Sequence, residues 1–122
     1  MDNLNKKSAV ELLKLIETKE VSSREVTQYF IDRIEEVNPK INAVVLEFYD
    51  EALAKADEAD KLLSEGKSLG KLHGLPFTIK ECFDYLGTPS TLGVLARKDD
   101  KPTANDDYVQ ALMNEGGIVL GL

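Results

Sequence analysis

Leu72-His73-Gly74-Leu75-Pro76-Phe77-Thr78-Ile79-Lys80-Glu81-Cys82-Phe83 decides how this chain is read. Gly74 and Pro76 rule out a helix across the stretch. Leu75, Phe77 and Ile79 alternate with Thr78 and Lys80, the period of two expected for a strand with one apolar face. The reading is therefore a turn followed by a short strand that delivers a lysine at its far end. Glu81, as the next residue, is expected to point away from Lys80 rather than pair with it.

Outward from that strand, the preceding half of the chain is helical and well punctuated. Ser8-Ala9-Val10-Glu11 and Ser22-Ser23-Arg24-Glu25 are capping-box signatures. The first predicts a helix burying Ala9, Leu12, Leu13 and Ile16. The second predicts a helix with the stripe Val26, Tyr29, Phe30, Ile34 and Val37, stopped by Asn38-Pro39. The short loop between them predicts an antiparallel pair. Residues 41–48, rich in Val, Ile and Phe, predict a buried strand. Tyr49 to Ser64 predicts a helix facing inward with Ala52, Leu53, Ala56, Ala59 and Leu63, with Gly66 just past its end. Beyond Lys80, Gly87, Pro89, Gly93 and Pro102 break up an irregular crossing segment. A helix follows over 105–115, ended by Gly116-Gly117, and Ile118-Val119-Leu120 begins another strand.

Alternating helices and strands predict an α/β fold, a mixed sheet flanked by helices. Residues 1–122 are expected to be the N-terminal fragment of a single domain, with a helical hairpin over 1–40 and the start of the α/β core over 41–122. Parallel strands are normally covered on both faces. An apolar strand at 118–120 with little after it to cover it predicts that the fold is incomplete here, and that an open sheet edge invites self-association.

Composition narrows the function. The 122 residues carry a net charge of −7, which disfavours nucleic acid as a partner, because phosphate binding needs clustered Lys and Arg. One Cys and one His cannot assemble a structural zinc site. No apolar run reaches membrane-spanning length, and the polar start Met1 to Lys7 lacks the features of a secretory signal. A cytoplasmic address is expected. Cys82 reads as a small packed residue, and His73 as a turn residue with a backbone partner. The glycines at 66, 70 and 74 lack the spacing of a phosphate-binding loop.

Gly74-Leu75-Pro76-Phe77-Thr78-Ile79-Lys80-Glu81 resembles the lysine motif of the amidase signature family. Ala9-Val10-Glu11-Leu12, Glu20-Val21-Ser22-Ser23-Arg24-Glu25 and Val37-Asn38-Pro39-Lys40-Ile41-Asn42-Ala43 are similar to that family's opening. Gly116-Gly117-Ile118-Val119-Leu120-Gly121 is similar to its helix-to-strand turn after the lysine. Lys80-Glu81-Cys82-Phe83, with Gly87 and Ser90-Thr91-Leu92-Gly93, leans toward the fatty acid amide hydrolase-like branch. The resemblance implies the N-terminal part of an amidase fold and hydrolysis of an amide C–N bond of a small molecule by a Ser–cis-Ser–Lys triad, with no metal or organic cofactor. Lys80 is the implied lysine, neutral at rest and therefore expected to be held out of water, since desolvation disfavours an ammonium. Both serines belong to a glycine- and serine-rich segment that the 122 residues do not contain, and Ser90 is the only serine after Lys80. Leu122 stands where the family usually has a lysine. The chain alone is expected to be inactive. Two rivals are a non-catalytic binding or assembly module with an open sheet edge, and a lysine Schiff-base enzyme, which would also use a desolvated amine.

Overall fold

Both capping boxes form. Ser8 starts α1 (Ala9–Glu17) and Ser22 starts α2 (Ser23–Ile41); each serine oxygen accepts a backbone N–H at the third helical position, and the glutamate there accepts the serine's own N–H. The computed structural model describes residues 3–122. Met1 and Asp2 of the polar N-terminal stretch lie outside the described residues.

The elements that follow are α3 (Tyr49–Ser64), β1 (Pro76–Thr78), α4 (Asp107–Asn114) and β2 (Ile118–Gly121). β1 and β2 are parallel, with Pro76 opposite Ile118 and Phe77 opposite Val119; an irregularity after Phe77 sets Thr78 opposite Gly121. The segment between Asp84 and Ala104 is irregular apart from a single 3-10 turn at Leu95–Arg97.

Two sequence expectations fail locally. Asn38-Pro39 does not stop α2, and Pro39 lies inside its last turn. A proline there forfeits only one late backbone bond. The helix ends instead at Asn42, which adopts a left-handed conformation (φ 47°) and donates its N–H to the Asn38 carbonyl at 2.7 Å. The Asn38 side chain then captures both backbone groups of Val44, at 2.8 and 2.9 Å. Residues 41–48 do not form a regular buried strand either, and Ile41 and Val45 are exposed. The end of this segment runs antiparallel to β2: Leu122 N–H donates to the Leu46 carbonyl and Phe48 N–H to the Leu120 carbonyl, each at 2.9 Å. Val45 and Leu46 both donate to the one Leu122 carbonyl, at 2.7 and 3.2 Å, and this doubling breaks the ladder.

The terminal strand is not bare. All four residues of β2 are buried. Ile118 and Leu120 pack against Ile31 of α2 and Ala52 and Ala56 of α3. Val119, on the other face, packs with Ile79, Tyr85, Val109 of α4 and Leu122. The strand is thus covered on both faces, as a parallel strand requires. The α3 contribution is a row of alanines: Ala52, Ala56 and Ala59 have no exposed surface. Their small side chains let α2, whose principal helical neighbour is α3, approach closely. That position between α3 and the sheet also explains why α2 buries Ser23, Thr27 and Ile31 as well as Val26, a wider face than the predicted stripe. A third cluster joins Leu12 and Ile16 of α1 to Val26 and Leu75. Ala9, expected inside, is exposed. Among the described residues no helix is long and apolar enough to cross a membrane.

Candidate functional site

The turn that feeds β1 is fixed from three sides. Ser23, the first residue of α2, donates its hydroxyl to the Gly74 carbonyl at 2.6 Å. The backbone N–H groups of Ser23 and Arg24 donate to the two oxygens of Asp60 on α3, at 2.7 and 3.0 Å, so a carboxylate sits at the positive end of α2. Gly74 is left-handed (φ 73°), and a Cβ there would lie 2.6 Å from the Ser23 hydroxyl, so only glycine fits. On the far side, Leu72 and Gly74 donate to the carbonyls of Glu115 and Gly116 at 2.8 and 3.0 Å, and Ile118 donates to Leu75 at 2.8 Å.

His73 is buried in this turn. Its Nδ1 accepts the Leu69 N–H at 2.9 Å, and its Nε2 lies 2.8 Å from the Ala59 carbonyl. These partners require the tautomer with the proton on Nε2 and occupy both ring nitrogens. His73 is a backbone-bonded turn residue, as its sequence position suggested. Cys82 is half-buried with a free thiol.

Lys80 lies where the chain leaves the sheet. The Ile79 N–H still donates to the Gly121 carbonyl at 2.9 Å, and the Lys80 carbonyl accepts the Phe83 N–H at 3.0 Å, closing a turn over 80–83. The expectation that Lys80 is held out of water is corrected here: the residue is exposed. Its neighbour Ile79 is buried in the cluster around Val119. No ion pair among the described residues involves it.

Glu81 does not pair with Lys80. Its carboxylate accepts the backbone N–H of Thr91, the Thr91 hydroxyl at 2.8 Å and the Leu92 N–H at 2.9 Å. The Thr91 N–H is the main reason its pKa lies below the ordinary glutamate value; burial opposes this, and the Thr91 hydroxyl, the Leu92 N–H and the Arg97 charge reinforce it. Sequence reasoning missed this clamp. The available signal was the short polar run Ser90-Thr91 before Leu92-Gly93, a composition suited to closing a turn on a carboxylate. Ser90 is buried, and its N–H donates to the Asp100 carbonyl at 3.2 Å.

A family model described as Amidase matches residues 25–122, and the chain belongs to that family. It is 43% identical over 115 residues to an indoleacetamide hydrolase of Bradyrhizobium diazoefficiens, covering 94% of this chain and 22% of that protein. It is 42% identical over 122 residues to fatty-acid amide hydrolase 2-A of Danio rerio, covering 94% of this chain and 23% of that protein. Among solved structures, a bacterial aryl acylamidase of the amidase signature family superposes with a TM-score of 0.84 at 37% identity, over 94% of this chain and 24% of that one. The chain therefore spans about a quarter or less of the length of these relatives. The fold is a partial α/β amidase fold. The fatty acid amide hydrolase-like branch is one of several it matches at similar identity.

Proposed function

We propose that this chain is the N-terminal segment of an amide hydrolase and contributes Lys80 to a Ser–cis-Ser–Lys triad. The observation that carries this reading is the place of Lys80. It stands at the carboxyl end of β1, paired in parallel with β2, where open α/β sheets bind their ligands. Its backbone is held by the sheet on one side and by a closed turn on the other. Family membership supports an amide substrate, and two relatives are named as hydrolases of indoleacetamide and fatty-acid amides. In this reading the neutral Lys80 amine takes a proton through a bridging serine. The second serine, losing its proton, attacks the amide carbonyl. The amine departs with a proton, and water releases the acid from the acyl-enzyme.

Both serines lie outside these 122 residues in this reading, so the chain alone is inactive, and the exposed face beside Lys80 is where the serine-bearing segment packs and withdraws the amine from water. One domain, of which this is a part, is the proposed organisation. A cytoplasmic address suits the free thiol of Cys82. The test is treatment of the purified chain with a fluorophosphonate. No serine is labelled if the reading holds; labelling of Ser90 overturns it.

A second reading keeps one supporting observation. Among the described residues β1 pairs only with β2, and its other edge is open. Such an edge can recruit another strand, although Pro76, which lacks an N–H, weakens it as a template. A concentration-dependent dimer in light scattering favours this assembly role. A monomer at all concentrations counts against it.

A further inference from the structure

Residues 90–100 form a self-contained flap. Ser90 is closed onto Asp100, Val94 N–H donates to Thr91, Arg97 to Val94 and Asp100 to Arg97. The Gly93 N–H is taken by the Thr91 hydroxyl at 3.1 Å, and the Arg97 guanidinium lies 3.6 Å from the Asp100 carboxylate. Among the described residues, every hydrogen bond that leaves this segment ends on one group, the carboxylate of Glu81. The flap has little apolar anchorage of its own, since Leu92, Val94 and Leu95 are all exposed. Glu81 is in turn the residue immediately after Lys80 and a corner of the turn closed by Phe83.

We propose that Glu81 is a positioning residue that holds the 90–100 flap in register with the Lys80 turn. Three donors on one carboxylate, two of them successive backbone N–H groups, fix both its distance and its orientation. A glutamine amide in its place would set an NH2 donor where one of the two carboxylate oxygens now accepts a backbone N–H. A use of this register in catalysis rests on the reading of Lys80 as the triad lysine; the tether itself does not.

The test is an NMR acid titration of the 122-residue chain, comparing wild type with Glu81→Gln. In wild type, the amide resonances of Thr91 and Leu92 in the flap and of Lys80 and Phe83 in the turn are expected to shift together with one midpoint, set by Glu81 with Arg97 as the nearby cation. Glu81→Gln removes this shared step. It also lowers the order parameters of residues 90–100 from about 0.85 toward 0.6, while the amides of Val26 and Ile118 are unchanged. Amide exchange at Leu92 accelerates about tenfold or more. A flap that stays ordered in Glu81→Gln, or a turn whose resonances ignore the titration, overturns the proposal. Should Glu81→Gln not fold, Thr91→Val removes the hydroxyl that bridges Glu81 and Gly93 while keeping both backbone donors; it should retain the shared step and lower the order parameters of residues 90–100, and unchanged order there overturns the proposal. None of these signals depends on turnover. Their absence refutes the tether and leaves the amidase reading intact, whereas a dispensable Lys80 in hydrolysis refutes that reading and leaves the tether standing.

Discussion

The α2–α3–β2 body and the segment beyond Lys80 are held together by opposite means. In the body, Ala52, Ala56 and Ala59 bring helices close, and Ile31, Ile118 and Leu120 fill the space between them and the sheet. Beyond Lys80, residues 84–104 contain one short 3-10 turn and expose Leu86, Leu92, Val94 and Leu95; Tyr85 anchors the start of the segment in the core, while residues 90–100 bond outward, among the described residues, only to the Glu81 carboxylate. Stability concentrates in the first region and adjustability in the second.

Removing packing from the body should have the largest effect. Ile118 is buried against α2 and α3, and Ile118→Ala should cost about 2–5 kcal/mol of unfolding free energy, read by urea denaturation. A loss below about 1 kcal/mol would mean that the body is not the stable half. Ser23→Ala comes next. It leaves the Gly74 carbonyl without its buried partner and should cost about 1–3 kcal/mol, again by urea denaturation. Loosened amide exchange should then extend from Gly74 to Leu75, and a change confined to α2 would separate the helix from the strand's entry turn.

The smallest effect should come from acid, and it should fall on the second region. Glu81 has a lowered pKa in the folded chain, chiefly through the Thr91 N–H. Its contribution is thus complete above the unfolded glutamate value of about 4.3 and is lost as pH falls through the lower folded value. Amide exchange should show Thr91 and Leu92 opening over that window while Ile118 stays protected. The capping glutamates Glu11 and Glu25 are lowered in the same direction, by the backbone N–H groups of Ser8 and Ser22. Fraying at the starts of α1 and α2 should accompany the change. Simultaneous loss of protection everywhere would erase the distinction between the two regions.

What could be read from the sequence follows the range of the forces involved. Ser8 with Glu11, Ser22 with Glu25, and the alanine-bearing face of 49–64 are local signals, and each forms as expected. The alternation at 75–79 correctly placed a strand, and two amidase-like stretches flank its pairing with β2. Pro39 misled because a proline removes one backbone donor without ending a helix by itself, and here the end is set by the left-handed Asn42. Residues 41–48 misled because their apolar composition describes a strand, while their geometry is set by Asn38 and by the Leu122 carbonyl. The covering of β2 and the tether at Glu81 both join residues distant in sequence, and no local period encodes them. The exposure of Lys80 belongs to the same class, since burial depends on what packs over a face and not on the strand that presents it.

The proposed role of Lys80 is tested most directly by Lys80→Met in the full-length amide hydrolase of which these residues are proposed to be a part, with amide hydrolysis measured alongside unfolding. If this lysine is the base, kcat should fall by about 10²–10⁴-fold with the unfolding midpoint unchanged. Hydrolysis retained within about threefold of wild type, at unchanged stability, would contradict it.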